Sequence, residues 1–261
     1  MLWTLAGTFE QRVETAARAG IQSLELVGEA AAWDDTAIER ARRLVRSYRM
    51  TIDLISAVPE WRTMPVSMVN PAHREALLAE VERQLARARK LDAPMALLMS
   101  GNTVAGLSPE SQWTSLVESA KRCGDLAAKF GVTLIVEPLN TRVDHPGYFL
   151  NNCVDGLRLI REVDHPRVRL LFDLYHEQVE SGNVTASLEE AAPWVKVFHV
   201  ADNPGRGEPG TGEMNYHHLY RAIAKTGFSG IVAMEYRPTG DASASLIRAV
   251  DGMRKSIRKG A

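Results

Sequence analysis

The chain has 261 residues, 45% of them hydrophobic and 24% charged, with a formal net charge of −1. This is the balance of a soluble globular domain, and its length is close to the roughly 250 residues typical of one (β/α)8 barrel. Near-neutral charge excludes the basic footprint of a nucleic-acid or anionic-membrane binder, and no apolar run approaches the length of a membrane span. The N-terminus lacks a charged region followed by a long apolar segment, so no secretory signal is expected. Cys123 and Cys153 fall in helix-like segments without metal-site spacing, which points to reduced thiols and a cytoplasmic protein.

Strand and helix patterns alternate along the chain. Leu2 to Leu5 is the first predicted strand. It begins almost at the first residue, so a clipped strand, or a few residues missing before it, is expected. Phe9 to Ala19 reads as a helix, with Phe9, Val13, Ala16 and Ala17 on one face and Gly20 as its stop. Ser23 to Val27 is the second strand, and alternation leaves open whether Glu25 points into the site or away from it. A helix over Thr36 to Tyr48 and a strand over Thr51 to Ser56 follow. Val58 to Pro71 is an irregular loop whose Trp61, Met64 and Met68 either cover a small substrate, pack on the rim, or support a homo-oligomer.

Ala72 to Leu91 reads as an amphipathic helix, ended by Asp92-Ala93 before Pro94. Met95 to Met99 is a strand, Pro109 to Phe130 a helix closed by Gly131, and Thr133 to Glu137 a strand. Cys153 to Val163 is a helix, and Arg167 to Asp173 a strand. Ser187 to Ala192 closes the next helical segment before the strand Val195 to Val200. A helix over His217 to Thr226, a strand over Ile231 to Tyr236 and a helix over Ala242 to Lys259 complete the chain. Eight alternations with short connections predict an α/β fold, a single (β/α)8 TIM barrel over residues 1–261. No Gly-x-Gly-x-x-Gly run follows the first strand, which argues against a dinucleotide-binding sheet.

Four consecutive predicted strands end in Glu137, Asp173, His199 and Glu235. A lone strand-end histidine is more often structural than a ligand. Three carboxylates at neighbouring strand ends change that balance, because buried carboxylates are costly unless paired or metal-bound. In a parallel barrel the four converge on the C-terminal rim, where such folds build their sites. The set suits one divalent ion, Mg2+ or Mn2+, and the single imidazole favours Mn2+. After His199 the loop ADNPGRGEPGTGEMNY carries Asp202, Arg206, Glu208 and Glu213, more charge than a plain connection needs.

The runs IVEPLNTR, HPGYFLNN, FDLYHEQVESGN, HVADNPGRGEPGTGEMNY and MEYRP resemble the hydroxypyruvate isomerases, a group of xylose-isomerase-like TIM barrels. The likeness is dense from about Gly131 to Gly240 and thin before Leu91. It implies a metal held by Glu137, Asp173, His199 and Glu235, acid/base roles for Glu137 and Glu235, and substrate binding by His176 and Arg206. Two positions divide the isomerases from the ketose 3-epimerases. His199 is epimerase-like, several isomerases having Gln there. Val143 is isomerase-like, the epimerases having a carboxylate there.

The implied chemistry is proton transfer next to a carbonyl, through an enediolate that a divalent ion stabilises, with two carboxylates taking and returning protons. His176 would polarise a substrate oxygen. Arg206 would hold a substrate carboxylate in its planar fork; the alternative for it is a salt bridge to Glu208 or Glu213. The reaction expected is therefore isomerisation of a small keto acid, with ketose 3-epimerisation as the alternative. An inosose-type dehydratase, a non-catalytic sugar-binding barrel and a nucleic-acid repair enzyme are weaker readings. The last lacks the extra His ligands of a three-metal cluster and a basic surface.

Overall fold

The computed structural model describes residues 1–258. Seven parallel strands form one curled sheet in sequence order: β1 (Ser23–Leu26), β2 (Thr51–Ser56), β3 (Met95–Leu98), β4 (Thr133–Val136), β5 (Val168–Asp173), β6 (Val195–Val200) and β7 (Ile231–Met234). Helices α1 (Phe9–Arg18), α2 (Asp35–Ser47), α3 (Arg74–Leu91), α4 (Pro109–Phe130), α5 (Cys153–Val163), α6 (Leu174–Glu180), α7 (Val184–Ala191), α8 (Tyr216–Lys225) and α9 (Ala242–Arg258) connect or follow the strands. Lys259, the expected end of the last helix, lies outside the described residues. None of the described helices is long and apolar enough to cross a membrane.

The helix boundaries follow local chemistry. Thr8 and Gln11 form a reciprocal capping box at the start of α1. Asp34, Ser108 and Asn152 cap α2, α4 and α5 through their side chains. Gly131 closes α4 in the left-handed region, with φ 68°. Strands β2 to β6 are mostly buried on both faces, one packed on helices and the other filling the barrel interior.

The predicted first strand does not form. Leu2–Thr4 is a single 3-10 turn, in which Leu5 N donates to Leu2 O at 3.0 Å and Thr4 Oγ1 to Met1 O at 3.0 Å. These local bonds take the place of ladder pairing. The turn sits in the seam between β7 and β1: the Met1 amine donates to Met234 O at 3.1 Å and lies 3.9 Å from Glu25 Oε2. Beside it is a cavity of about 360 Å3, lined by Leu24, Ile231, Met234 and Leu246 among others.

The loop after β2 also divides differently from expectation. Met68 is fully buried, and its carbonyl accepts from Ser115 and Ser119 Oγ at 2.9 and 3.1 Å. Met64 is exposed, while half-buried Trp61 meets the Tyr148 ring edge-on, with centroids 5.4 Å apart. Of the three apolar side chains offered for a lid or a partner surface, Met68 belongs to the core.

Candidate metal centre

Strand register brings the four predicted ligands together. Asp173 and His199 are direct partners across β5 and β6, and His199 pairs with Ala233 of β7, two residues before Glu235. The period of two puts Glu235 on the same inward face. Val136 pairs with Leu170, so Glu137, one residue beyond β4, reaches the same end. Outward-facing Phe198 packs between Phe172 and Phe228, at centroid distances of 5.6 and 4.7 Å, and fixes the strand that presents His199.

One ligand atom from each of Glu137, Asp173, His199 and Glu235 lies within 4.8 Å of the others, and all four residues are buried. His199 Nδ1 is 2.7 Å from Glu235 Oε2 and 3.6 Å from Glu137 Oε1. Asp173 Oδ1 is used as the cap of α6, accepting from Tyr175 N at 2.8 Å and His176 N at 3.3 Å. Its Oδ2 is left to the cluster. Glu137 Oε1 is buried without a hydrogen-bond partner. Three carboxylates, one imidazole and an orphaned carboxylate oxygen are the donor set of an oxygen-preferring divalent ion, so this buried group can hold one.

Positive side chains balance the carboxylates. Arg206 Nη2 lies 2.9 Å from Glu235 Oε2 and 3.3 Å from Asp173 Oδ2. Burial pushes Glu137 up to about 7 despite the nearby imidazole, and Asp173 up to about 6 despite Arg206. Burial would also raise Glu235, but Arg206 and His199 override it and hold that carboxyl well below the usual range. For His199, burial favours the neutral ring, yet Glu25, Glu235 and Glu137 hold its pKa well above the ordinary imidazole value.

Arg206 does not make the salt bridge offered as its alternative. Glu208 accepts from Thr239 N at 3.0 Å and Ser245 Oγ at 2.9 Å, strapping the loop to α9, and Glu213 accepts from Asn203 Nδ2 at 2.6 Å. His176 is buried, with Nδ1 2.6 Å from Asn140 Nδ2 and 3.3 Å from the Asn140 backbone N–H that donates to it. The ring proton therefore belongs on Nε2, which has no hydrogen-bond partner. Burial first, and then the positive Arg206, keep His176 neutral by pulling its pKa well down.

A cavity of about 550 Å3 opens onto the cluster and is lined by Glu137, Glu235, His176, Arg206, Trp61 and His145 among others. Two features of the site escaped the sequence reading. Behind the cavity, buried Tyr148 Oη accepts from Ser100 N at 2.8 Å and donates to Glu137 O at 3.3 Å, tying the loop after β3 to the end of β4. Val143 is 65% exposed and does not line the cavity, whereas Asp144 beside it does, accepting from Tyr175 Oη at 2.8 Å. The missing carboxylate at Val143 thus separates the two reaction types less sharply than the sequence suggested.

A family model described as xylose isomerase-like TIM barrel matches residues 13–257. The chain belongs to this family. Hydroxypyruvate isomerase from Escherichia coli is 33% identical over 176 residues, covering 67% of this chain and 68% of that protein. 2-Oxo-tetronate isomerase from Cupriavidus necator is 30% identical over 240 residues, covering 91% and 90%. Among solved structures, an AP endonuclease, family 2, from Brucella melitensis superposes with a TM-score of 0.84 at 29% identity, over 94% of this chain and 93% of that one. The curated relatives place the chain among isomerase enzymes.

In this family member the long loop after β6 is stapled by one buried carboxylate. Asp202 accepts from Asn203 N at 2.9 Å, Gly210 N at 2.6 Å and Met214 N at 3.0 Å. Arg206 sits at the bend with φ 58° and is held by Arg237 N donating to its carbonyl at 2.7 Å. Gly212 is required on steric grounds, since a Cβ there would lie 2.2 Å from Asn203 O and 2.6 Å from Asp202 Oδ1. Gly212→Ala should therefore displace the loop and Arg206 with it. The expected result is a loss of stability of about 1–3 kcal/mol, as for an overpacked site, with a larger loss of turnover. Thermal unfolding and initial rates on the same preparation check both; wild-type values for the two would show that the loop has room to shift.

Proposed function

We propose that this chain is a metal-dependent isomerase that interconverts a small 2-keto acid and its aldehyde isomer, hydroxypyruvate and tartronate semialdehyde being the type case. The observation that carries the reading is a pair of buried carboxylates, Glu137 and Glu235, that share one cavity with Arg206 and the unpartnered Nε2–H of His176. Glu137, Asp173, His199 and Glu235 would hold one Mg2+ or Mn2+ ion at the C-terminal ends of the strands. When bound, such an ion supplies Lewis-acid stabilisation of the negative charge that builds on substrate oxygen.

The protein's own groups account for the proton movements. One carboxylate takes a proton from the hydroxymethyl carbon, giving an enediolate. A proton then returns to the former carbonyl carbon, and the hydroxyl proton passes between the two oxygens, so no atom is gained or lost. Glu137 and Glu235, from β4 and β7, reach the cavity from strands separated by two others and would share these tasks. His176 would donate from Nε2 to a substrate oxygen, its neutral ring being a donor that costs no charge burial. Arg206 would take the substrate carboxylate. The two cysteines are buried and unpaired, which fits a cytoplasmic setting.

A second reading, ketose 3-epimerisation, is favoured by His199 and by Asp144 on the cavity wall. Arg206 distinguishes the two, because a free ketose has no anion for it. Arg206→Ala should raise KM for hydroxypyruvate by about 10–100-fold, as expected for loss of hydrogen bonds to a charged group worth ~1.5–3 kcal/mol, and should change a neutral ketose far less. The panel should include a four-carbon 2-oxo acid, given the relative that acts on 2-oxo-tetronate. Ready epimerisation of fructose or tagatose by Mn2+-loaded protein, with the acids untouched, would establish the second reading instead.

A further inference from the structure

We infer that Glu25 is a positioning residue for the candidate metal centre, acting through His199. This rests on the metal reading above, since it assigns the far side of one of the proposed ligands. His199 has two ring nitrogens facing opposite ways. Nδ1 faces Glu235 and Glu137, at 2.7 and 3.6 Å, while Nε2 faces Glu25, 3.2 Å from Oε1 and 3.1 Å from Oε2. Both partners are buried, His199 at 0% exposure and Glu25 at 1%.

No other side-chain donor reaches Glu25 among the described residues. The Met1 amine stands 3.9 Å from Oε2, and the other acid close enough to interact is Asp53, itself bonded to Ser23 Oγ at 2.7 Å. A buried carboxylate is costly without a partner, and here the imidazole is the partner. The register of β1 against β2 shifts between Leu24 and Glu25, and irregularities of this kind re-aim a side chain next to a site. Leu24 and Leu26 on either side are buried apolar residues.

The chemical consequence is a fixed tautomer. Where an ion would take the place of the Nδ1 proton now shared with Glu235, the ring keeps its Nε2 proton on Glu25, leaves the Nδ1 lone pair to the cluster and cannot turn over. Ligating histidines generally donate their other N–H to such an acceptor, and loss of that partner costs 10–100-fold in metal affinity or activity. Glu25 thereby ties the first strand of the sheet to a centre otherwise built from β4 to β7.

Calorimetric titration of the purified full chain with Mn2+ alone, in single and double variants, tests this. Glu25→Ala should weaken Mn2+ binding by about 10–100-fold, and Glu25→Gln by less, because an amide oxygen still accepts. In the His199→Ala background, either Glu25 change should weaken Mn2+ no further, the sign of two residues acting as one unit. With 15N-labelled histidine and Mg2+, wild-type His199 should show a single tautomer protonated at Nε2, and Glu25→Ala a mixture. Should Glu25→Ala fold poorly, Glu25→Gln carries both measurements. Wild-type Mn2+ affinity in the Glu25 variants, or an equal loss with and without His199, overturns the positioning role alone. Failure of the wild-type protein to bind Mn2+ overturns the metal reading as well.

Discussion

Glu137→Gln and Glu235→Gln should each slow the exchange of substrate protons with deuterated water by about 10²–10⁴-fold, the usual contribution of a general acid or base. An amide keeps the shape of the side chain and one liganding oxygen, but it cannot accept a proton at neutral pH. The two changes should differ in what else they do. Glu235 bonds His199 at 2.7 Å and Arg206 at 2.9 Å, so its neutralisation leaves two buried cations short of a partner. Breaking a buried ion pair from one side commonly costs about 3–5 kcal/mol, and Glu235→Gln should be the less stable protein. Glu137 is already shifted towards its neutral form by burial, so Glu137→Gln should fold almost normally and still fail to exchange. Exchange read by proton NMR, with Mn2+ content measured on the same samples, separates lost proton transfer from lost metal. Near-wild-type exchange in either variant would remove that residue from the proton path.

Removal of metal should abolish turnover, and re-addition of Mn2+ or Mg2+ should restore it. The pH dependence follows from the charges. His199 is held above its ordinary value and Glu137 titrates at about 7 in the metal-free protein, so at neutral pH and below an arriving ion must displace protons. Mn2+ affinity should therefore fall as pH falls through neutrality, by up to about tenfold per pH unit for each proton displaced. Metal-free stability should run the other way. Asp173 has a folded value raised to about 6, and Glu137 and Asp53 to about 7, so each holds a proton in the fold that it has lost in the unfolded chain. The raised His199 acts in the same sense, its contribution being lost as pH rises through its folded value. His176 and His145, with lowered values, act in the opposite sense only below the ordinary imidazole range. The melting temperature of chelated protein should thus drop as pH rises through about 6 to 7, and added Mn2+ should recover more of it at the upper end. A metal-free melting temperature that rises steadily over this interval would contradict the raised folded values of these buried groups.

Much of this molecule was legible in local sequence. Local pattern placed α4, with Gly131 as its stop, and α5 at the residues where they occur, because helix signals act within a turn or two. The strand-end carboxylates and His199 were legible for a related reason: a polar residue closing an apolar run marks where a strand leaves the core. The family resemblance rested on the same strand ends and on the loop through Arg206. What local pattern does not carry is a partner distant along the chain. Glu25 and His199 are 174 positions apart, and alternation alone left Glu25 equally able to face either side until strand register set it. Arg206 offered its charge to Glu208 and Glu213 nearby in sequence, but the fold gave those carboxylates closer donors and left Asp173 and Glu235 to the guanidinium. Leu2 to Leu5 has the composition of a strand, yet a strand exists only where a neighbour supplies its ladder, and here local turn bonds did so instead. Sequence determined which residues bear chemistry and where most of the elements run; the tertiary structure decided which of those residues meet and that Leu2 to Leu5 is no strand, because burial, pairing and register are properties of the assembled sheet.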